Sequence, residues 1–401
     1  MKKVVFLGLG YIGLPTAGVA AGHGYEVVGV DVNPSVVETI NQGKIHIVEP
    51  ELDQIVKKVV RTGNLRAVSK PEQADAFFVV VPTPFKQNHR ADITYVESAT
   101  RSVIPYLREG NLFVIESTSP VFTTERMAEV IYKERPELKD KIYIAYCPER
   151  VLPGNTLYEL VHNDRVIGGI NPESTAKAIE FYSAFVQGKL HPTNARTAEM
   201  CKLTENSSRD SQIAFANELS MICDKAGINV WELIDLANKH PRVNILQPGC
   251  GVGGHCIAVD PWFIVSDYPE QAQIIKRARE TNDYKADWCA NKVMEACQQF
   301  VEKNFSSYIA SQVFKETSKP EKIYFSLKPC EEGYSLMAAD SDSNKTYAWI
   351  SSLSKRFSLV EMIATGIVYV KDTRTNTYQP FISGKGKYCK YDKEKGILVE
   401  I

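Results

Sequence analysis

A cysteine next to closely spaced glycines has the surroundings best suited to covalent chemistry in this 401-residue chain. Cys256 ends the segment Gly249-Cys-Gly-Val-Gly-Gly-His-Cys256. Such glycines let the backbone approach a ligand and can direct N–H groups at a developing oxyanion. A thiolate held there would be a good nucleophile toward an aldehyde. Three other interpretations stay open: buried packing, a disulfide with Cys250, and a metal site with Cys250 and His255 that lacks a plausible fourth ligand.

A polar triplet lies on one face of a predicted helix. Lys202, Asn206 and Arg209 are spaced at i, i+4 and i+7, which places them on the same side. An amine, an amide and a guanidinium suit an alkoxide, a hydroxyl and a phosphate or carboxylate, respectively. The alternative is a solvated helix face.

Two further segments carry polar groups in predicted loops. Glu149 follows a predicted strand, where a carboxylate could position or activate water. His240 and Arg242 could hold a diphosphate. Each of these residues, taken alone, is as compatible with surface structure.

The N-terminal segment has the pattern of a dinucleotide-binding turn. Gly8-Leu-Gly10-Tyr-Ile-Gly13 follows a predicted strand and opens a helix, and Asp31 ends the next strand. The three glycines permit the tight turn, the approach of a pyrophosphate and close helix packing, while the helix N-terminus supplies N–H groups. Asp31 would accept hydrogen bonds from ribose hydroxyls and repel a 2′-phosphate, so the pattern favours NAD over NADP. The alternative is a glycine turn in an ordinary βαβ unit.

Two threonines follow later strands of the same region. Thr83 and Thr118 are expected at the carboxyl ends of their strands, where ligands of doubly wound sheets bind. Alternatively, their hydroxyls cap the following helices.

The elements that must position these residues fall into three regions. Buried strands are predicted at residues 3–7, 26–30, 76–81, 112–116 and 142–147, alternating with helices, so residues 1–170 are predicted to be a Rossmann-like, doubly wound parallel α/β domain. Residues 171–304 are predicted to be helical, with long helices at 195–226, 230–238 and 270–303. Residues 305–401 are predicted to be β-rich, with strands at 322–327, 334–339, 345–350, 367–371 and 396–401 and a boundary between Asn304 and Pro320.

Composition narrows the class of protein. A net charge of −1 disfavours a nucleic-acid-binding chain. The nine cysteines are odd in number and contain no CxxC, which fits neither a disulfide framework nor a zinc ribbon, so we expect reduced thiols in a cytoplasm and no bound metal. No signal peptide and no membrane span are predicted.

Together, these motifs resemble the UDP-glucose/GDP-mannose dehydrogenase family over roughly residues 1–300. The resemblance also rests on Tyr146–Gly154, Asn163–Gly169 and the string from His240 to Phe263, which occur in the family's order. It implies an NAD-dependent, four-electron oxidation of the C6 alcohol of a UDP-sugar to a carboxylate, for surface polysaccharides such as capsule or O-antigen. It also implies a homodimer formed through the long central helix.

The family's chemistry can be carried over residue by residue. The resemblance implies that Cys256 forms a thiohemiacetal and then a thioester, which water hydrolyses. It makes Lys202, assisted by Asn206, the acid/base or oxyanion-stabilising group. It also implies that Asp260 orients Lys202 or a water molecule, and that Glu149 and Thr118 position the hydrolytic water. The implied cofactor contacts are Gly8, Gly10, Tyr11, Ile12, Gly13, Asp31, Thr83 and Thr118. The implied substrate contacts are Glu149, Arg150, Val151, Lys202, Asn206, Arg209, His240, Arg242 and Gly253.

Two departures from the family pattern stand out. Phe122 replaces a glycine that can adopt positive φ, so a rebuilt loop is expected after Thr118. The last hundred residues do not align with the family's third domain, and Tyr324–Pro329 is only a weak trace of its motif. We interpret this region as a replacement or a fusion.

Three functional hypotheses follow. The first is an active dehydrogenase of an N-acetylated UDP-sugar or of UDP-glucose, in which the unusual C-terminal region is tolerated or substitutes for the family's third domain. The second is an impaired, NAD-binding chain whose C-terminal module serves interaction or regulation, because losing remote substrate contacts would weaken positioning of C6. The third is a two-electron 3-hydroxyacid dehydrogenase, which would not need Cys256.

Overall fold

The protein forms two compact units, Met1–Ala286 and Asp287–Ile401. The computed structural model describes residues 1–86, 89–254 and 256–304 and, beyond these, the strands of the second unit, with side chains described up to residue 296. Among the described residues, no helix combines the length and the apolar character needed to cross a membrane.

The first unit alternates strands and helices along the chain. Its strands are β1 (Lys3–Leu7), β2 (Glu26–Val30), β3 (Leu65–Val68), β4 (Ala76–Val79), β5 (Leu112–Ile115), β6 (Tyr143–Tyr146), β7 (Arg165–Gly169) and β8 (Leu190–Asn194). Its helices are α1 (Gly13–Gly22), α2 (Pro34–Asn41), α3 (Leu52–Arg61), α4 (Thr94–Val103), α5 (Thr123–Glu134), α6 (Thr156–His162), α7 (Pro172–Tyr182), α8 (Ala195–Ala226), α9 (Val230–Ala237), α10 (Asp260–Asp267) and α11 (Gln273–Asn304), the last of which continues into the second unit. Short 3₁₀ helices cover Ile104–Tyr106 and Pro136–Leu138.

The eight strands form one sheet in the order β3-β2-β1-β4-β5-β6-β7-β8. The first six pair in parallel, and the β6–β7 pair is antiparallel. The order 3-2-1-4-5-6 is that of a dinucleotide-binding sheet, whose ligands bind outside the carboxyl ends of the strands. The predicted Rossmann-like fold is therefore confirmed for this region.

Both faces of the sheet are covered because its strands are apolar on both sides. Val4 and Phe6 pack with residues of α1, α3 and α7 on one face. Val5 and Leu7 point the other way and pack with α4 and α5. This alternation follows from the two-residue period of a strand.

All five predicted strands of the N-terminal region are present, and β1 and β2 have the predicted ends. The strands β3, β7 and β8 were not predicted. Strand β8 lies within the range 171–304 that the sequence predicts to be helical, so the sheet extends beyond residue 170.

Helix α8 runs beside the sheet as one uninterrupted element of 32 residues. The Asn194 side chain caps the start of α8 by accepting from the amide of Thr197, and α8 ends at Gly227, whose φ is 71°. Leu203 of α8 packs against Phe263 and Ile264 of α10. The predicted range 195–226 is confirmed.

The second unit contains an antiparallel sheet in the order β11-β10-β9-β12-β13-β14 and a separate β15–β16 pair. Its strands are β9 (Ile323–Cys330), β10 (Gly333–Asp340), β11 (Thr346–Ile350), β12 (Phe357–Ile363), β13 (Ile367–Asp372), β14 (Thr377–Pro380), β15 (Cys389–Asp392) and β16 (Ile397–Glu400). Five of these overlap the predicted strands, whose ends at Lys322, Lys345, Gly396 and Ile401 lie outside the described residues, as does most of the predicted boundary between Asn304 and Pro320.

Candidate active site

The glycine turn after β1 has the close approaches that a dinucleotide-binding turn requires. Gly8 has φ of 95°, and a Cβ on it would lie 2.3 Å from the carbonyl oxygen of Val80. A Cβ on Gly13 would lie 1.9 Å from the Gly8 carbonyl oxygen, whereas Gly10 faces open space. Only glycine fits the first two positions, and Gly10 leaves room for a pyrophosphate at the start of α1. The residues present therefore fit NAD.

Asp31 connects the glycine turn to the next strand. One of its oxygens accepts a hydrogen bond from the Leu9 amide at 3.1 Å, and the other accepts from the Asn33 amide at 2.9 Å. Each carboxylate oxygen keeps a further lone pair for a ribose hydroxyl. Tyr11, in the turn, is exposed.

Thr83 and Thr118 join the loops that follow β4 and β5. The Thr83 hydroxyl donates to the carbonyl oxygen of Thr118 at 2.5 Å. The N-cap residues of the next helices, α4 and α5, are Ile93 and Phe122, so neither threonine occupies an N-cap position. The helix-capping interpretation of the two threonines is therefore wrong.

The loop before α5 keeps the backbone conformation for which a glycine was expected. Phe122 adopts φ of 75° and ψ of 0°, so the expected rebuilding of this loop is wrong. The buried Glu199 carboxylate of α8 accepts from the Phe122 amide at 2.8 Å and from the Thr124 amide at 2.7 Å. The Arg196 guanidinium lies 4.6 Å from the centre of the Phe122 ring. These contacts from α8 stabilise a strained position that the side chain alone would disfavour.

The polar face of α8 meets the start of α10. The Asn206 side chain donates to an Asp260 oxygen at 2.5 Å, and the Asp260 side chain is buried. Burial raises the pKa of Asp260 to about 6, although the Asn206 hydrogen bond and the Lys202 charge act in the opposite direction. Lys202 and Asn206 are half-buried, whereas Arg209 is exposed. The solvated-face interpretation thus holds for Arg209 but not for Asn206.

Lys202 is left available for a ligand. Within the part of the chain that the structure describes, its ammonium group has no hydrogen bond and no ion pair, while its charge acts on both Asp260 and Cys256. A half-buried amine near a carboxylate and a thiol can donate or accept a proton at a reacting carbon.

Cys256 lies at the end of the glycine-rich loop that leads into α10. It is a free cysteine and exposed to solvent, as is Cys250, so the disulfide and buried-packing interpretations are both wrong. Partial desolvation by the surrounding protein and the negative charge of Asp260 raise the pKa of the Cys256 thiol, whereas the positive charge of Lys202 lowers it. The backbone carbonyl oxygen of Cys256 accepts from the Asp260 amide at 2.9 Å, so Cys256 lies one helical turn before Asp260.

The metal interpretation of this loop depends on a residue outside the described part of the chain, His255. Among the described residues, no group of three potential metal ligands occurs. Gly251 has φ of 108°, and a Cβ on it would lie 2.7 Å from the Asn282 carbonyl oxygen, while Gly253 and Gly254 face open space. The loop therefore leaves room for a ligand beside the thiol.

Glu149 and Arg150 follow β6 and are already engaged by other side chains. The buried Glu149 carboxylate pairs with Arg165 at 3.3 Å and accepts from the Arg150 amide at 2.6 Å. The Arg150 guanidinium donates to both oxygens of Glu205 on α8, at 2.8 and 3.1 Å. Arg165 and Glu205 were missed by sequence reasoning, because nothing in their spacing distinguishes them from ordinary surface charges.

The remaining predicted substrate contacts are less constrained. His240 and Arg242 are exposed in the loop after α9, where the Arg242 amide donates to the His240 ring at 3.4 Å. Val151 is half-buried beside the Glu149 loop.

Comparisons with known proteins agree with this geometry. The NAD-binding domain of the UDP-glucose/GDP-mannose dehydrogenase family matches residues 2–186, and the central domain of that family matches residues 196–284. The UDP-N-acetyl-D-mannosamine dehydrogenase of Escherichia coli is 59% identical over 298 residues, which are 72% of this chain and 71% of the relative. The NDP-N-acetyl-D-galactosaminuronic acid dehydrogenase of Ralstonia nicotianae is 56% identical over 309 residues, 75% of this chain and 73% of the relative. The solved structure of a UDP-D-ManNAc dehydrogenase from Pyrococcus horikoshii is 41% identical with a TM-score of 0.71, and the match covers 75% of this chain and 73% of the other.

Proposed function

The chain belongs to the UDP-glucose/GDP-mannose dehydrogenase family, and from this we propose that it oxidises the C6 hydroxyl of UDP-N-acetyl-D-mannosamine to a carboxylate, giving UDP-N-acetyl-D-mannosaminuronate. The observation that carries the proposal is the placement of Cys256, Lys202 and Asp260 around one open loop. This set is what a four-electron oxidation through a covalent thioester needs, since a two-electron dehydrogenase would not require a nucleophilic thiol.

When bound, NAD would supply the hydride acceptor for the two oxidations at C6. The residues that would hold it are those at the carboxyl ends of the first strands: Gly8, Gly10, Tyr11, Ile12, Gly13, Asp31, Thr83 and Thr118. Asp31 supports the choice of NAD over NADP, because a carboxylate repels a 2′-phosphate.

Cys256 provides the covalent step between the two oxidations. Its sulfur adds to the C6 aldehyde, which forms a carbon–sulfur bond and a thiohemiacetal, and the second oxidation converts this adduct into a thioester. Water then adds to the carbonyl carbon, the carbon–sulfur bond breaks, and the carboxylic acid and the thiol are released. Because the pKa of Cys256 is raised, its thiol must lose a proton as the sulfur adds to the aldehyde.

Lys202, Asn206 and Asp260 support the charge changes at C6. The Lys202 ammonium stabilises the oxyanion or exchanges a proton with the C6 oxygen, and Asn206 donates a hydrogen bond beside it. Asp260, fixed by Asn206, orients Lys202 or a water molecule.

Substrate binding and hydrolysis involve the loops around this centre. Glu149 and Thr118 would manage the hydrolytic water. Contacts to the sugar nucleotide are proposed from Arg150, Val151, Arg209, His240, Arg242 and Gly253.

The setting of the enzyme follows from the same proposal. We place it in the cytoplasm, in the synthesis of capsule or O-antigen precursors, without a nucleic-acid partner. We also propose a homodimer formed through α8, since Phe215 and Ile222 on this helix leave large apolar side chains exposed.

The test is the number of NADH molecules formed per sugar consumed by the purified protein. Separate reactions contain UDP-N-acetyl-D-mannosamine, UDP-N-acetyl-D-glucosamine and UDP-glucose. Two NADH per UDP-N-acetyl-D-mannosamine are expected, and Cys256→Ala should abolish this turnover. One NADH per sugar, or full turnover by Cys256→Ala, would rule out the thioester route. No NADH with any sugar despite NAD binding would favour the impaired-enzyme hypothesis.

A further inference from the structure

A cluster of buried ionisable side chains lies beneath the carboxyl ends of β5 and β6. Glu116 follows β5, Cys147 and Glu149 follow β6, Arg165 begins β7, and Tyr182 ends α7. All five are at most 8% exposed. Of these five residues, only Glu149 has a role in the proposed chemistry.

The cluster holds two carboxylates and one guanidinium, so its charges cannot all be paired. Glu149 takes the guanidinium of Arg165 at 3.3 Å. Glu116 instead accepts the Tyr182 hydroxyl at 2.5 Å, and its other oxygen has no partner among the described residues. Burial raises the pKa of Glu116 to about 7, the charge of Arg165 lowers it, and that of Glu149 raises it again. Glu116 therefore binds a proton more tightly than an ordinary glutamate does, whereas Glu149 has the guanidinium of Arg165 as its partner.

Arg165 is held in place from several sides. It donates to the Leu160 carbonyl oxygen at 3.4 Å, contacts the Cys147 sulfur at 3.8 Å and lies 5.0 Å from the centre of the Tyr182 ring. Burial raises the pKa of Cys147 to about 12, so this neighbour is a neutral thiol. A planar guanidinium with so many contacts provides a rigid support for the carboxylate it binds.

The support extends from Glu149 to the catalytic helix. The second Glu149 oxygen accepts from the Arg150 amide at 2.6 Å, and the Arg150 side chain pairs with Glu205 of α8. Glu205 is next to Asn206, which holds Asp260. Through Glu149 and Arg150, Arg165 thus supports a loop that is joined to α8 at Glu205, next to Asn206.

We propose that Arg165 is a positioning residue that fixes the Glu149 carboxylate as the proton acceptor for hydrolysis of the Cys256 thioester. In this step water attacks the thioester carbon, the water proton passes to Glu149, and the carbon–sulfur bond breaks as the sulfur takes up that proton. The inference rests on the proposed function and adds to it the group that holds the Glu149 carboxylate in place.

The test compares three variants. Arg165→Met removes the cation, Arg165→Lys keeps the charge without the planar fork, and Glu116→Gln is a matched control that removes an acid of the same cluster that does not contact Glu149. Each variant is first checked for folding by circular dichroism and NAD binding. The measurements are kcat and KM across pH, and intact-protein mass spectrometry of quenched reactions.

For Arg165→Met we expect kcat to fall by about 10²-fold with KM changed by less than about threefold. The sugar should accumulate as an acyl adduct on Cys256. Accumulation of this adduct at a nearly unchanged KM would assign the defect to the hydrolysis step, which a purely structural defect would not do. Arg165→Lys should show the same pattern to a smaller extent, and Glu116→Gln should keep wild-type turnover.

Two results would overturn the inference: a folded Arg165→Met variant with wild-type kcat, or a loss of kcat without an acyl adduct on Cys256. If Arg165→Met does not fold, Arg165→Lys decides by the same two criteria. Failure of the wild-type protein to form NADH would instead refute the proposed function, so the two failures are distinguishable.

Discussion

Asp260 is expected to lower the stability of the folded protein while serving the reaction. Its side chain is 4% exposed, and burial raises its pKa from 3.8 to about 6. A carboxyl group with a raised folded-state pKa binds protons more tightly in the folded protein than in the unfolded chain. Stability therefore falls as the pH rises from the unfolded to the folded pKa, and the full cost is present above about pH 6.

The size of this cost follows from the shift. Raising the pKa of Asp260 from 3.8 to about 6 corresponds to a cost of about 3 kcal/mol when Asp260 is fully ionised. Asp260→Asn removes the charge and keeps an oxygen that can accept from Asn206. We therefore expect this variant to be more stable than wild type by about 3 kcal/mol at about pH 8, and by about half as much at about pH 5. Its turnover should nevertheless fall by about 10²-fold.

The assay is urea unfolding at both pH values, followed by circular dichroism together with loss of NAD binding, which assigns the transition to the first unit. Asp164→Asn is the matched control, because the exposed Asp164 has a lowered pKa and should give no gain. Equal stability of Asp260→Asn and wild type at about pH 8 would refute the reasoning. A gain that is the same at both pH values would refute it as well, because it could not come from ionisation.

Two further substitutions test packing and backbone strain in the first unit. Because Phe122 has φ of 75°, Phe122→Gly should be more stable than Phe122→Ala by about 1 kcal/mol in urea unfolding, although alanine is usually the more stabilising of the two residues. An alanine variant of equal or greater stability would contradict the assignment of strain. Arg279→Met leaves the buried Asp210 without its guanidinium partner at 2.6 Å, so it should lower the free energy of unfolding by about 3 kcal/mol or more. The double variant Asp210→Asn/Arg279→Met should unfold at a higher urea concentration than Arg279→Met. A double variant whose loss of stability is the sum of the two single losses would contradict this.

The strands that could be predicted are those with continuous apolar runs. Val4–Leu7 and Val27–Val30 are buried on both faces, and their ends were correctly predicted. Strand β8 has the sequence LHPTN, with a proline and partly exposed positions, so neither alternation nor an apolar run marks it. Its pairing with β7 depends on the neighbouring strand, which local pattern does not reveal.

The site could be predicted in part for a similar reason. Cys256, Lys202 and Asn206 stand in motifs whose residue types fit a reaction, and the structure gathers them near Asp260. Arg165 and Glu199 act through partners distant in the chain, so their importance is visible only once the fold brings those partners together. At Phe122 the sequence was misleading in the opposite direction. A phenylalanine disfavours positive φ, but contacts from α8 stabilise that conformation here.

Helix α8, about 48 Å long for its 32 residues, carries a series of residues that each contact a different element. Glu199 holds α5, Glu205 holds Arg150, Asn206 holds Asp260, and Asp210 holds Arg279. Deleting or inserting one residue after Lys202 would rotate every later contact by about 100° relative to the earlier ones. A substitution on this helix alters one of these contacts, whereas a change in its residue count alters all the later ones together. Insertions and deletions that preserve the fold should therefore occur in the connecting loops and not within α8.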